Sequence, residues 1–180
     1  MVVRCLTIIL SVIVLSPICW AAGRGATGEA AAAAALISRF RSEHGLGPVR
    51  PDAHLNVLAA AQATAMASAG VMAHDVAGDF SSRVERASLG RVVAAENIGA
   101  GFQSLSSALG AWQQSAGHRD NLLMYGVTRI GLARAAARPR SNGLYWALVL
   151  AGPEPSVKAG STTAAPIVGL PASIGLFVGH

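Results

Sequence analysis

The sequence predicts an α+β domain, and three observations carry that expectation. Apolar residues recur at helical spacing from Ala33 to about Met124. After Tyr125-Gly126 the period shortens to that of strands. The pattern stops at Pro153-Glu154-Pro155, and 180 residues that are 52% hydrophobic and 13% charged fit one folded domain with appendages rather than a disordered chain. The domain is expected over residues 30–152, preceded by a leader (1–21) and a linker (22–29) and followed by a flexible Pro/Gly/Ala-rich tail (153–180).

The leader reads as a secretory signal peptide. Arg4 precedes an apolar run from Cys5 to Ile18, and Cys19-Trp20-Ala21-Ala22 supplies small residues at a cleavage site. About 14 apolar residues are short for a spanning helix, so no stable membrane span is expected once the leader is removed. An uncleaved anchor and a lipid-modified Cys19 are alternative readings, the latter opposed by the bulk of Ile18. Both cysteines, Cys5 and Cys19, lie in this leader, so no disulfide or thiol chemistry is available to the domain. Gly23-Arg24-Gly25-Ala26-Thr27-Gly28 spells G-x-G-x-x-G, but a dinucleotide site needs a strand just upstream, and here the leader stands there.

A first helix is expected over Glu29–His44, with Ala33, Leu36, Ile37 and Phe40 on one face and Gly45 as its stop. Asp52 is an N-cap candidate for a second, in which Leu55, Leu58, Ala59 and Met66 repeat up to Gly70. Ser82-Arg83-Val84-Glu85 fits a capping box opening a third helix. Ser104 opens a fourth, with Leu105, Ala108, Leu109 and Trp112 at i, i+3, i+4 and i+7. Another helical stretch ends near Met124. Val127–Ala135 and Leu144–Ala151 read as strands across the polar turn Arg138–Gly143, and Ala94–Gly99 is a further candidate strand. The apolar end of the tail, Ile167–Val178, is broken by Pro171 and Gly175 and is expected to be loose.

The formal net charge is +5, and every basic residue except Lys158 is an arginine. The arginines are spread singly and are not interleaved with aromatics, so no nucleic-acid groove is expected. No serine stands in a G-x-S-x-G elbow.

Few residues are left to carry chemistry. His44, His54 and His180 read as surface groups, which leaves His74 in a loop with Asp75 and His118 at a helix start. The two are 44 positions apart, so no local metal motif joins them. Glu96 stands in the apolar stretch Val92–Gly99, where a carboxylate is either at an exposed bend or buried with a partner such as a histidine. A turn-capping role beside Asn97 is the competing reading. Glu85 belongs first to its capping box.

Taken in order, these pieces resemble a known family. Ile37-Ser38-Arg39-Phe40-Arg41 is followed by Gly45-Leu46-Gly47-Pro48-Val49, then Met72-Ala73-His74 and Ala95-Glu96-Asn97-Ile98. The block Trp112-Gln113-Gln114-Ser115-Ala116-Gly117-His118-Arg119-Asp120-Asn121 comes next, with Thr128-Arg129-Ile130-Gly131 and Tyr145-Trp146 after it. This is similar to the CAP superfamily (cysteine-rich secretory, antigen 5 and pathogenesis-related proteins, or SCP domain), in its small cysteine-free bacterial branch. The resemblance spans about Leu36 to Ala151.

It implies an α-β-α sandwich, a central antiparallel sheet flanked by helices, with a cleft gathering His74, Glu96 and His118. An acid between His74 and Glu96 is the fourth cleft residue, and Glu85 is the best-placed candidate. The family's usual asparagine in the first helix is replaced by Ser38.

The implied function is a secreted, extracytoplasmic binding module for a small apolar or cell-wall ligand. The alternative is a metal-assisted hydrolase, in which His74 and His118 hold Zn²⁺ and Glu96, with Glu85, does acid–base work. Two protein nitrogens are fewer than the three ligands usual in catalytic zinc sites, which ranks binding above catalysis. A purely structural surface role is the third reading.

Overall fold

A computed structural model describes residues 18–137, 143–154 and 174–177. The leader up to residue 17, most of the polar turn and tail residues 155–173 lie outside the described residues. Five helices, α1 (Ile18–Ser42), α2 (Ala53–Ala69), α3 (Phe80–Arg86), α4 (Leu105–Gln114) and α5 (Ala116–Leu122), surround one sheet. Its strands are β1 (Arg50–Pro51), β2 (Val92–Ala100), β3 (Arg129–Ala136), β4 (Leu144–Pro153) and β5 (Ile174–Phe177), in spatial order β1-β3-β4-β2-β5. The pairings are antiparallel except that two-residue β1 runs parallel to β3, which amends the all-antiparallel expectation at one edge.

Strand alternation sorts the core into two layers. On β4, Trp146, Leu148 and Leu150 point to one face and pack with Ala33 and Ile37 of α1, Leu109 and Trp112 of α4 and Leu122 of α5. Tyr145, Ala147, Val149 and Ala151 point to the other and meet Leu55, Ala59 and Met66 of α2 and Val84 of α3. The result is a helix–sheet–helix sandwich. Alanine at so many contact positions lets the helices lie close, nowhere more than at Gly131. A Cβ there would fall 2.0 Å from the Leu55 carbonyl carbon, so α2 rests directly on the β3 backbone.

Local chemistry explains most element ends. Asp52 caps α2 by accepting from the backbone N–H groups of His54 and Leu55 and also binds Arg129 at 3.1 Å. Burial pushes its carboxyl up, but the Leu55 N–H and the Arg129 guanidinium outweigh that, and its pKa lies below the ordinary value. Gly70 (φ +68°) closes α2 in the left-handed region. Ser104 caps α4 in a reciprocal box with Ser107. Ser38 both donates to the Val49 carbonyl (3.1 Å) and accepts from the Val49 N–H (3.0 Å), tying α1 to the segment entering β1.

The structure changes four expectations. α1 starts at Ile18, so residues 22–29, read as a linker, are helical. This stretch holds two alanines and three glycines, so intrinsic propensity does not account for it; it is continuous with the alanine-rich run 30–35 of the same helix. Leu36 is 40% exposed, because the buried stripe of α1 runs through Ala30, Ala33, Ala34 and Ile37 instead. α3 begins at Phe80 rather than Ser82: Asp79 is the N-cap and accepts from the Ser82 N–H at 3.0 Å, so the Ser82–Glu85 box does not form. Ile174–Phe177 of the tail pairs as β5 with Val92–Ala95. No helix among the described residues is long and apolar enough to cross a membrane.

Candidate functional site

The site is built on β2, which lies between β4 and the four-residue β5. Among the described residues, β5 pairs with β2 only as far as Ala95. The next two residues, Glu96 and Asn97, therefore stand where the edge is free of strand pairing, and alternation sends their side chains to opposite faces. Each fixes one histidine-bearing segment. Glu96 accepts from His74 Nδ1 at 2.9 Å. On the other face, Asn97 Nδ2 donates to the His118 carbonyl at 3.0 Å, and Asn121 Nδ2 donates to Asn97 Oδ1 at 2.9 Å. Trp112 Nε1 donates to the Ile98 carbonyl at 3.0 Å, so α4 and α5 cover the edge that β5 leaves open.

Glu96 is 1% exposed, and both of its oxygens are taken. Arg83, missed as a site residue at the level of sequence, places Nη1 at 2.9 Å from Oε2 and Nη2 at 3.0 Å from Oε1, a bidentate pair. Its remaining donors reach the Gly78 carbonyl through Nε and the His74 carbonyl through Nη2, both at 2.9 Å. The arginine thus holds the carboxylate and the loop carrying His74 together. Gln62 Nε2 donates to the Ala73 carbonyl at 2.6 Å and fixes the same loop from α2.

An ionised carboxylate only accepts, so His74 Nδ1 is the donor and its Nε2 is the ring's remaining site. The His74 side chain is 43% exposed above a carboxylate that is not, so the imidazole forms the mouth and Glu96 the floor. Half-buried His118 contacts Ser115 Oγ through Nδ1 at 2.9 Å. Burial, and then the charge of nearby His74, hold its pKa below the ordinary value. Two imidazoles from opposite helical layers therefore come within electrostatic reach of each other across the β2 edge. Two buried amide oxygens, Gln62 Oε1 and Asn121 Oδ1, have no hydrogen-bond partner among the described residues. Both belong to side chains whose NH₂ groups anchor this site, and each leaves an acceptor for a water molecule or ligand donor.

Glu85 is not brought to the cleft. It is exposed, and its carboxylate makes no hydrogen bond or ion pair among the described residues. On a short helix packed through Phe80 and Val84, position 83 faces inward and position 85 faces out. The partner of Glu96 is a cation two residues earlier, not a second acid.

That pairing bears on metal binding. Among the described residues, no group of three or more His, Cys, Asp and Glu is arranged to hold a metal ion. Glu96 is neutralised by a guanidinium, which leaves the two imidazoles as donors. This set falls short of the three protein ligands usual in a catalytic zinc site.

An antiparallel-type sheet between two helical layers, with a histidine-lined edge, defines an SCP-type α-β-α sandwich. Residues 34–150 match the family model for the cysteine-rich secretory protein (CAP) family, and the chain belongs to that family. A comparison with curated proteins gives no match. Among solved structures, the chain is similar to an extracellular SCP-domain protein of Bacillus anthracis (24% identity, TM-score 0.62), with 78% of this chain and 44% of that one covered. It is also similar to an outer surface protein of Borrelia burgdorferi (17% identity, TM-score 0.60; 67% and 89% covered). A cysteine-rich secretory protein of Staphylococcus aureus gives 18% identity and a TM-score of 0.55, with 69% and 38% covered. The chain thus spans less than half the length of the Bacillus and Staphylococcus proteins.

Proposed function

We propose that this chain is an exported binding module whose ligand meets the imidazoles of His74 and His118. Glu96 is the buried electrostatic support of that site and not its general base. The observation that carries this reading is the commitment of both Glu96 oxygens to Arg83 and His74. A general base must accept a proton from substrate or water, whereas this buried carboxylate already accepts from Arg83 through both oxygens and from His74. Val71 and Met72 are both about half exposed, just before His74, and offer an apolar rim beside the polar mouth. A small ligand with one hydrogen-bonding group and an apolar portion, such as a wall-derived fragment, suits that combination.

Zn²⁺, where present, would be held by ring nitrogens of His74 and His118 and would supply Lewis acidity there. Export is supported by the leader's basic-then-apolar pattern and by the extracellular or surface descriptions of the Bacillus and Borrelia proteins.

The test compares the full chain with Glu96→Gln and His118→Ala variants on casein and on peptidoglycan, alongside calorimetric titration with Zn²⁺. The expected result is no hydrolysis by any of the three, with any Zn²⁺ heat lost in His74→Ala. Turnover by the native chain that disappears in Glu96→Gln would restore the hydrolase reading.

A further inference from the structure

His74 and His118 present different atoms to a ligand, and the difference traces to one hydroxyl. The Nδ1–H of His74 points at a carboxylate that only accepts, so its Nε2 carries a lone pair. His118 has no carboxylate beside it. Its Nδ1 lies 2.9 Å from Ser115 Oγ, and its Nε2 has no partner among the described residues. Ser115 holds the N-cap position of α5, yet its hydroxyl accepts from none of that helix's backbone N–H groups. The hydroxyl is committed to the ring instead. An imidazole nitrogen is a far stronger base than a hydroxyl oxygen, so the proton between them is the serine's and Nδ1 is the acceptor. The neutral ring's own proton then stands on Nε2. The His118 backbone is held separately, by Asn97 Nδ2 on its carbonyl at 3.0 Å. The serine therefore governs the ring's proton and not the position of the segment.

Two rings within electrostatic reach thus offer unlike sites, a lone pair on His74 and an N–H on His118. A carboxylate, which only accepts, does not match this pair, and an ammonium group, which only donates, does not either. A trans secondary amide carries one N–H and one carbonyl on opposite edges of a single plane, which suits rings that come from opposite helical layers. Resting on the binding reading above, we infer that Ser115 fixes the tautomer of His118 and that the cleft selects a trans secondary amide, its N–H on His74 Nε2 and its carbonyl on His118 Nε2. Ser115 is a positioning residue, acting through His118 without touching the ligand. Such amides occur in acetamido sugars and in peptides.

The experiment records imidazole ¹⁵N–¹H correlations of the full chain at about pH 8.5, above the ordinary histidine value. It then titrates N-acetylglucosamine, N-acetylalanine N-methylamide, glucosamine and acetate. The expected result is a proton on Nδ1 of His74 and on Nε2 of His118. At least one of the two amides should shift both rings, and glucosamine and acetate should bind at least about tenfold more weakly. The tighter of the two amides assigns the source. Ser115→Ala should lose the single His118 tautomer and weaken the amide about tenfold, and Ser115→Thr, which keeps the hydroxyl, should restore both. Because Ser115 makes no cap bond, circular dichroism should be the same for all three chains. A proton on Nδ1 of His118 in the native chain overturns the inference. So does acetate binding as tightly as the amides, or undiminished affinity in Ser115→Ala. Absence of amide binding with the expected tautomers overturns the ligand class, whereas the binding reading itself falls only with turnover in the hydrolysis test above.

Discussion

Arg41 and Arg83 are both buried, 1% and 4% exposed, but on opposite helical layers and in different company. Arg41, on α1, meets no carboxylate. Its guanidinium donates to four backbone carbonyls, Gly47, Leu122, Met124 and Val127, at 2.7–3.1 Å. Burial alone pushes its pKa below the ordinary arginine value. Arg83 divides its donors between two carbonyls and the two oxygens of Glu96. The first is a pin through irregular chain: it satisfies carbonyls where α5 ends and no regular structure can. The second is a counter-charge that allows a carboxylate to sit beneath His74. One arginine serves the fold, and the other serves the site.

The comparison predicts different failures. Arg83→Met leaves Glu96 buried with only His74 for company, and a loss of about 3–5 kcal/mol is expected by urea unfolding. Replacing Glu96 as well, by Gln, removes the stranded charge, so the double variant should recover part of this deficit. Arg41→Met strands dipoles instead of a charge, with an expected loss of about 3 kcal/mol that Glu96→Gln does not relieve. If Glu96→Gln relieves both deficits alike, the distinction between the two arginines is lost. Ser38→Ala sharpens the contrast by loosening Val49, two residues past the Gly47 carbonyl that Arg41 holds. About 1 kcal/mol is expected there.

The smallest effect belongs to the site layer. His118 should titrate below its ordinary 6.5 in an NMR pH series, and His74→Ala should move its midpoint part of the way back, since burial remains. The folded pKa lies below the unfolded one, so unfolding takes up protons in that interval. The contribution of His118 to stability is complete above about pH 6.5 and falls as pH drops through its folded value. An unchanged midpoint in His74→Ala would mean the two imidazoles do not sense each other.

Much of this architecture was legible in the sequence because it rests on local rules. Asp52, Gly70 and Ser104 end their helices as short-range hydrogen bonding requires, and the stripes of α2 and α4 follow the helical period. Glu96 stood out for lying in an apolar run. Its actual partners were harder to see, being 22 and 13 residues away along the chain. The arginines read only as singly spread charge, yet periodicity held a usable signal. Arg41 continues the buried stripe Ala33–Ile37 at i+4, and Arg83 lies between Phe80 and Val84 on the inward side of α3. Glu85 misled because a capping box is a purely local pattern, and Asp79 offered the better cap three residues earlier. The strand at Ile174–Phe177 was obscured by Pro171 and Gly175, since an edge strand that short needs no long apolar alternation.

One consequence follows from the neighbouring placement of Glu96 and Asn97 opposite Val149 and Leu148. Because one residue reaches each helical layer, a single-residue deletion in β2 ahead of Ala95 would turn the strand over. Glu96 would then face α5, and Asn97 would face the guanidinium. Such a lesion removes neither Glu96 nor Asn97 and yet dismantles the contacts both make with the histidine-bearing segments, so insertions and deletions here should be far less tolerated than in the loop between α3 and β2.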